Sequence, residues 1–311
     1  MEIFSKRDDE MIKKNIDKPQ NENIVGYLLL APWLIGFLIM TVIPMICSIY
    51  FSFTNYNLLS SPKFIGLDNY KRMLFQDNTF WKSLGVTFYY VFMLVPLRLT
   101  FALFIAMLLN NKRKFMGMYR ALYYIPSIIG GSVAVSIVWK QIFGNQGVVM
   151  SLLQVFGIHQ EVSLIGNPKT AIWTIIALGV WQFGSSMLIF LAAIKQIPES
   201  FYESANIDGA SSWLKFTKIT IPMLTPVIFF NLILQIINGF RAFTESFIIT
   251  QGGPMDSTMF YVLNLYKRAF TYFDMGYSSA LAWALVLIIS VFTLFIFKTQ
   301  KSWVYYESKG E

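Results

Sequence analysis

The sequence predicts an all-α, polytopic membrane protein with six transmembrane helices, and three observations support this fold class. First, 55% of the 311 residues are hydrophobic and only 14% are charged, whereas soluble domains carry charge on about a quarter of their residues. Second, six apolar segments are each long enough to cross a bilayer as a helix. Third, aromatic residues make up 17% of the chain, as is typical of proteins whose Trp and Tyr residues mark the membrane interfaces.

The predicted spans cover about 27–50, 83–109, 121–143, 170–194, 224–249 and 276–297. Pro32 and Pro44 are expected to kink the first span, and Pro126 and Gly130-Gly131 interrupt the third. Two segments between spans, within 64–74 and 259–270, have the spacing of short helices that lie at the membrane surface. We therefore divide the chain into an N-terminal tail (1–24), a six-helix domain (25–298) and a C-terminal tail (299–311).

The distribution of Lys and Arg predicts the orientation of the chain. Six spans place both termini on one side, and 15 of the 25 Lys and Arg residues lie there, in the tails, in the loops 110–120 and 196–222, and next to them at Lys195 and Lys298. Eight lie on the opposite side, and Arg98 and Arg241 fall within spans. The positive-inside rule therefore places both tails in the cytoplasm. The excess of Lys and Arg on this side also accounts for the net charge of +8. The sequence has no basic stripe beside a soluble domain that would indicate a nucleic-acid partner.

The loop 196–222 is the one long polar segment in the C-terminal half of the chain. Pro198 suits the first turn of a helix over Glu199–Ile207, and Gly209 can adopt the positive φ that ends it. Ser211 and Ser212 can cap a second short helix that runs toward Pro222. Three small residues, Ala205, Gly209 and Ala210, permit the close approach of another protein. The pattern therefore predicts a helix-turn-helix that docks on a partner.

Motifs that carry enzymatic chemistry are missing from the sequence. The phosphate-binding pattern GxxxxGK[ST] does not occur, so we expect no ATP hydrolysis by this chain. HExxH and GxSxG are also absent. One cysteine, Cys47, and one histidine, His159, can form neither an intrachain disulfide nor a metal site by themselves. We therefore expect neither an enzyme nor a bound cofactor.

Polar residues inside the spans are the candidate binding residues, because such residues usually face a cavity or a partner. On the fifth span, polar and small side chains recur at spacings of three and four along one helix face: Gln235, Asn238, Arg241, Ala242 and Glu245. The Arg241 and Glu245 side chains are spaced to pair with each other. Packing against a partner helix is the alternative role of this face.

The fourth span combines an indole ring with hydrogen-bonding side chains and a small residue: Trp181, Gln182, Gly184, Ser185 and Ser186. An aromatic ring can stack on a sugar while amides bind its hydroxyls, and simple helix packing is an equally good explanation. Arg98 follows Pro96 in the second span. It could extend to the interface, neutralise a partner or bind an anionic substrate, and the sequence leaves these roles open.

The loop 196–222 also contains a known pattern. Glu203, Ala205, Gly209, Ile219 and Pro222 match the motif Glu-Ala-Ala, three residues, Gly, nine residues, Ile, one residue, Leu-Pro, with Ser and Ile as mild departures at 204 and 221. The stretches APWLIGFLIMTVIPMICSIYFSFTNY, YYIPSIIGGSVAVSIVWKQIF and ITQGGPMDSTMFYVLNLYKRAF extend the likeness. The sequence thus resembles the ABC-importer permeases, specifically the maltose-type, F-like subunit of the carbohydrate-uptake branch.

The resemblance implies a set of partners and residue roles. Such a subunit lies in a prokaryotic cell membrane among lipids, beside a second homologous permease, two cytoplasmic ATPases that bind ATP and Mg, and an extracellular solute-binding protein. The ATPase contacts would come from five residues: Glu203, Ala205, Asp208, Gly209 and Ala210. The substrate contacts would come from eight: Trp181, Gln182, Ser185, Gln235, Asn238, Gly239, Arg241 and Ala242.

The resulting hypothesis is the import of oligosaccharides by ATP-driven alternating access. Arg98 and Arg241 suggest acidic, uronate-containing oligosaccharides as a specific form of this hypothesis. Three alternatives remain: an importer of a non-sugar solute such as glycerol phosphate, an ion-coupled secondary transporter and a membrane assembly protein. A secondary transporter usually has coupling carboxylates near the midplane and an internal repeat, and Glu245 is almost the only acidic residue in the spans.

Overall fold

The computed structural model describes residues 22–111, 114–158 and 162–305. Residues 1–21 of the predicted N-terminal tail, residues 306–311 of the predicted C-terminal tail, and His159 therefore lie outside the described residues. Within those residues, four helices are long and apolar enough to cross a membrane, and two bent helix pairs raise the number of candidate spans to six. This arrangement agrees with the predicted all-α membrane fold.

The first span runs without interruption over Gly26–Ser52. It consists of α1 (Glu22–Phe37), a π-helical turn (Leu38–Val42) and α2 (Ile43–Ser52). The π turn lies directly before Pro44, which has no N–H for the carbonyl four residues earlier. The helix accommodates this proline by a local widening of its turns. Near the end of the span, the Trp283 indole donates a hydrogen bond to Ser48 Oγ at 3.1 Å, which links the first span to the last.

A strand pair, which the sequence analysis did not predict, follows the first span. Thr54–Asn55 (β1) pairs antiparallel with Lys63–Phe64 (β2). The helix expected within 64–74 is α3 (Asp68–Phe75). The Asn69 amide of α3 is buried and donates to the carbonyl oxygens of Ser52 and Thr54, at 2.9 Å each, so α3 is fixed to the end of the first span.

The second span, α4 (Asn78–Leu109), is the central helix and begins earlier than the predicted 83. Asp77 caps it, because its carboxylate accepts hydrogen bonds from the amides of Thr79 and Phe80. The helix packs against both halves of the fourth span, against the fifth span and against the segment Tyr261–Tyr266. Its buried face therefore forms one wall of the core.

The third and fourth spans are both bent. In the third, α5 (Met116–Ile129) and α6 (Val133–Phe143) meet at Gly130-Gly131, and the axis turns by 96° between α5 and Val133–Val155. The break lies at the predicted Gly130-Gly131, but the sequence did not indicate so sharp a bend or the extension beyond Phe143. The segment after α6 forms α7 (Val148–Val155). In the fourth, α8 (Ala171–Trp181) and α9 (Gly184–Ile194) are bent by 41°.

The fifth span differs from its predicted bounds at both ends. After α10 (Glu199–Ile207), one continuous helix covers Ser212–Phe240. It comprises α11 (Ser212–Lys215), a π turn (Phe216–Thr220) before Pro222, and α12 (Ile221–Phe240). The second short helix expected in the loop 196–222 is therefore the beginning of the span itself. The span ends at Phe240, not at 249, and Ser246–Thr250 forms a separate π-helical turn.

The segment before the sixth span is not the surface helix expected over 259–270. It forms α13 (Tyr261–Tyr266) and a π turn (Lys267–Thr271). Tyr261, Leu263 and Asn264 are buried, so this segment packs inside the bundle. The sixth span is α14 (Met275–Trp303).

A cluster of charged residues joins the ends of four helices on the face opposite the loop 196–222. The Arg268 guanidinium binds the Asp77 carboxylate at 3.0 Å, and the Tyr277 hydroxyl donates to the same carboxylate at 2.7 Å. Arg72 pairs with Asp274 at 2.7 Å and lies 4.3 Å from the centre of the Tyr277 ring. Burial opposes ionisation of Asp77, but the hydrogen bonds and the Arg268 charge together hold the pKa of its carboxyl below the usual value.

We predict that Asp77→Asn lowers the free energy of unfolding by about 1–3 kcal/mol at pH 7, the cost of leaving a buried charged partner unsatisfied. Asparagine is an equally good cap, so the loss isolates the carboxylate charge. Because the folded pKa is depressed, this stabilisation is present above the ordinary value of about 4 and is lost as the pH falls through the folded pKa. Thermal unfolding in detergent at pH 7 and pH 3 measures both effects.

Asp68→Asn is the matched control, because Asp68 pairs with Lys71 while its side chain is 64% exposed. Such surface pairs contribute about 0–1 kcal/mol. An equal effect of the two substitutions at pH 7 would contradict the role of the buried cluster.

Candidate functional site

A polar cavity of about 220 Å³ lies between α4, α8 and α12 in the interior of the bundle. Ten residues line it: Tyr90, Leu94, Arg98, Gly179, Gln182, Gln235, Asn238, Gly239, Ala242 and Glu245. The second, fourth and fifth spans and the segment after Phe240 therefore each form part of the cavity wall. The cavity is the point at which polar residues from separate spans meet.

The bend between α8 and α9 creates the polar centre of this cavity. Because the helix stops at Trp181 and restarts at Gly184, the Gln182 carbonyl is free to accept hydrogen bonds from outside its own helix. Arg98 donates to it through Nη2 and, at 3.1 Å, through Nε. The Ser127 hydroxyl donates to the same oxygen at 2.9 Å. A residue of the second span and one of the third thus stabilise the break in the fourth.

The Arg98 guanidinium also connects the fourth span to the fifth. Its Nη1 donates to Gln235 Oε1 at 3.0 Å, and Gln235 Nε2 donates to Ser186 Oγ at 3.0 Å. The side-chain nitrogen of Gln182 is buried and has no hydrogen-bond partner among the described residues. Buried polar atoms are normally paired, so this nitrogen is an unsatisfied donor on a residue that lines the cavity.

The cavity contains one cationic and one anionic side chain among its lining residues, Arg98 and Glu245. Both are half-buried. The two charges offset each other, and the remaining polar lining side chains are the phenol Tyr90 and the amides Gln182, Gln235 and Asn238. Hydrogen bonding, more than net charge, therefore dominates the chemistry of the cavity.

Two glycines bring the spans close enough to enclose the cavity. A Cβ at Gly179 would lie 2.6 Å from Leu94 Cδ1, and one at Gly239 would lie 3.0 Å from Val91 Cγ2. Both contacts are with α4. A larger residue at either position would push the fourth or fifth span away from the central helix.

The loop 196–222 forms a compact projection on the opposite side of the fold from the charged cluster. Gly209 has a φ of +73°. The Ala210 amide donates to the Ala205 carbonyl at 2.8 Å, and the Gly209 amide donates to the Asn206 carbonyl at 3.1 Å. These two bonds form a Schellman motif, which requires a left-handed residue at the position of Gly209.

Side-chain contacts fix α10 to the start of the fifth span. The Tyr202 and Thr220 hydroxyls lie 2.9 Å apart, and Lys215 Nζ donates to Asn206 Oδ1 at 2.7 Å. The tip presents two large apolar side chains, Ile207 (87% exposed) and Trp213 (71% exposed). Exposed apolar side chains on a rigid projection are typical of a protein contact surface.

The family profile described as "binding-protein-dependent transport system inner membrane component" matches residues 75–301. The chain belongs to this family. It is a permease subunit of an ABC importer and not an enzyme, which confirms the family predicted from the sequence.

Two relatives illustrate the range of this permease family. The probable ABC transporter permease protein YesP of Bacillus subtilis (strain 168) is 55% identical over 94% of this chain and 95% of its own length. The arabinooligosaccharides transport system permease protein AraP of the same organism is 33% identical over 92% of this chain and 90% of its own.

A solved structure confirms the permease fold. It is the bacterial alginate ABC transporter in complex with an alginate pentasaccharide-bound periplasmic protein. The matching chain has a TM-score of 0.77 and 23% identity, over 90% of this permease and 94% of that chain. At this identity the likeness concerns the fold alone.

The structure brings together five of the eight predicted substrate-binding residues of the permease: Gln182, Gln235, Asn238, Gly239 and Ala242. The other three lie elsewhere. Trp181 packs on Trp139 with ring centres 5.9 Å apart. The Ser185 side chain is exposed, while its amide donates to Ser127 Oγ at 3.1 Å. Arg241 is exposed beyond the end of α12 and forms no ion pair with Glu245 within the described residues.

Two residues of the cavity, Tyr90 and Leu94, were not predicted, and the role of Arg98 was left open. These three residues recur at a spacing of four along α4, which places them on one helix face. That signal was present in the sequence. It was obscured because Tyr90 and Leu94 are ordinary residues of an apolar span.

We predict that Gly130→Ala destabilises the permease by about 1–3 kcal/mol, the usual cost of overpacking. A Cβ at Gly130 would overlap with the Gln182 side chain and the Pro126 carbonyl oxygen. The adjacent Gly131→Ala is the control, because a Cβ there meets nothing within 4 Å. Thermal unfolding of the two purified variants measures the difference, and equal melting temperatures would contradict the close packing at Gln182.

Proposed function

We propose that this permease subunit conducts oligosaccharides through the membrane, and that the cavity between α4, α8 and α12 is its share of the substrate path. The observation that carries the proposal is the convergence of three amide side chains, one with an unpaired donor, inside the spans of an importer permease. Amide groups can donate to and accept from the hydroxyls of a neutral sugar. The substrates named for AraP and for the alginate transporter are also oligosaccharides.

A second permease subunit completes this path in our proposal. The cavity of about 220 Å³ is smaller than the roughly 300–1,000 Å³ of complete ligand sites. The first span also has no buried residue in its most apolar window, so its surface is available for a neighbouring subunit. A solute-binding protein on the outer face would deliver the sugar to the shared cavity.

Acidic oligosaccharides are the more specific form of the proposal, and Arg98 favours them. Its guanidinium lies at the cavity and could contact a uronate in addition to the Gln182 and Gln235 oxygens, because a guanidinium carries five N–H donors. Glu245 limits this attraction, since it lines the same cavity. Arg241 gives no support, because it does not line the cavity.

The loop 196–222 is the contact with a cytoplasmic ATPase in this proposal, consistent with the positive-inside count. Glu203, Asp208 and Gly209 are exposed, while Ala205 and Ala210 are half-buried beneath them. The glutamate and aspartate can form charge-assisted contacts, and Ile207 and Trp213 supply apolar contact area. Closure of two ATPases around ATP and Mg would move this rigid loop and switch the permease between outward- and inward-facing states.

We predict that Asn238→Ala reduces oligosaccharide uptake by about tenfold. The variant loses one hydrogen bond to the substrate, which costs roughly 1.5 kcal/mol. Arg241→Ala is the matched control, three residues away and outside the cavity. Uptake of fluorescent acidic and neutral oligosaccharides by cells carrying the whole transporter measures both. Equal loss in the two variants would contradict the assignment of the cavity.

The same uptake assay distinguishes ATP hydrolysis from an ion gradient as the driving force. We expect uptake to stop when cellular ATP is depleted and to persist when an ionophore dissipates the ion gradients. Persistence without ATP would favour an ion-coupled secondary transporter instead.

We predict that Gly209→Val abolishes uptake and the copurification of an ATPase, while the amount of permease in the membrane stays unchanged. A β-branched residue is strongly disfavoured at a φ of +73°, although the space around the position is open. Gly209→Asn is the control, because asparagine tolerates the left-handed conformation, and it should keep most of the uptake. Full activity of the valine variant would refute the role of the loop.

A further inference from the structure

A second and larger cavity, of about 800 Å³, lies on the same face of the fold as the loop 196–222. It is bounded by the end of α4, the first turns of α5, the end of α9 and the start of α10. Arg120 of α5 and Lys195 at the end of α9 line it, together with Asn110, Asn111 and Tyr202. None of these residues belongs to the substrate cavity.

The charges of this cavity suit an anion. Arg120 is half-buried and donates from Nη2 to the Leu109 carbonyl oxygen at 3.1 Å. Its Nε is buried without a hydrogen-bond partner in the described part of the chain. Lys195 is exposed and supplies a second positive charge. Glu199 is the one carboxylate among the described lining residues, and it already has an interaction partner.

An apolar groove of about 400 Å³ adjoins this cavity. The two share Met116, and the groove is formed by side chains of α4 and α5: Ile105, Leu108, Leu109, Tyr119 and Tyr123. Leu108 and Tyr119 are about half exposed on the outer surface, so the groove is open to the surroundings of the span. Lys114 stands at the rim of the groove.

We propose that the cavity and the groove together bind one anionic phospholipid from the adjoining leaflet. The phosphate would lie between Arg120 and Lys195, and an acyl chain would follow the groove. Basic pockets beside spans attract anionic headgroups, and a hydrocarbon chain in the groove would cover apolar side chains that the chain itself leaves exposed. A free phosphate could bind between the two basic residues of the cavity, but it would leave the apolar side chains of the groove uncovered.

The position of this site couples it to the docking loop. Glu199 and Tyr202 belong to α10, the first helix of the loop 196–222, and Tyr202 also contacts Thr220 at the start of the fifth span. A bound lipid would therefore contact both the central helix α4 and the docking loop. Its presence would restrict the movement of one relative to the other.

The test is retention of lipid by the full-length chain extracted in mild detergent from membranes that contain phosphatidylglycerol. Native mass spectrometry measures the fraction of protein that keeps one lipid. We expect Lys195→Gln to reduce the retained phosphatidylglycerol by roughly fivefold, the effect of one basic residue near an anionic surface. Arg120→Gln should reduce it by a similar factor. Lys195 is exposed, so its replacement leaves folding intact even if Arg120→Gln does not.

The matched control is Lys298→Gln, which removes a basic residue near the end of α14, outside both cavity and groove; it should not change retention. Leu108→Ser should weaken retention through the groove. Equal retention of phosphatidylcholine, or no effect of Lys195→Gln, would overturn the proposal and favour a protein partner over this surface. Displacement of the lipid by inorganic phosphate alone would identify a free-phosphate site and would also overturn it.

Discussion

The carbonyl oxygen of Gln182 is the point on which the interior of this permease depends. A backbone acceptor inside a membrane-spanning bundle cannot remain unpaired, because water is not available to bind it. The break between α8 and α9 exposes this oxygen, and Arg98 and Ser127 pair with it from two other spans. The Arg98 guanidinium then reaches Gln235 of the fifth span. One helix break therefore joins four spans and creates a polar cavity in an apolar fold.

This arrangement also explains how an arginine can reside in the bundle. A buried guanidinium is costly unless its donors are satisfied, and here a backbone carbonyl and a side-chain amide accept from it. Glu245 lines the same cavity and offsets the charge. Under the proposed function, Arg98 serves both the fold and the substrate path, so its replacement would affect both.

Periodicity and hydropathy were sufficient to predict the six-span fold, the break near Gly130 and the turn at Gly209. They did not predict where the fifth helix ends or which apolar residues line the cavity, because both depend on packing between spans. The face predicted from Gln235 to Glu245 assumed one regular helix, but α12 ends at Phe240, which moves Arg241 to the outside. Tyr90 and Leu94 could not be recognised, because a buried cavity wall and a packing face have the same composition in an apolar span. The role of Gln182 depends on its backbone, which a side-chain pattern does not reveal.

The continuous helix over Ser212–Phe240 has a consequence for how such permeases can diverge. Trp213 in the loop 196–222 and Gln235 at the cavity lie on this one helix, with the π turn Phe216–Thr220 between them. Inserting or deleting a single residue between them would rotate one surface relative to the other by about 100°. Unless a further π-helical turn absorbs the change, a chimera between two relatives must therefore exchange this helix as a whole. Under the proposed function, the surface that contacts the sugar and the surface that contacts the ATPase therefore lie on one continuous helix.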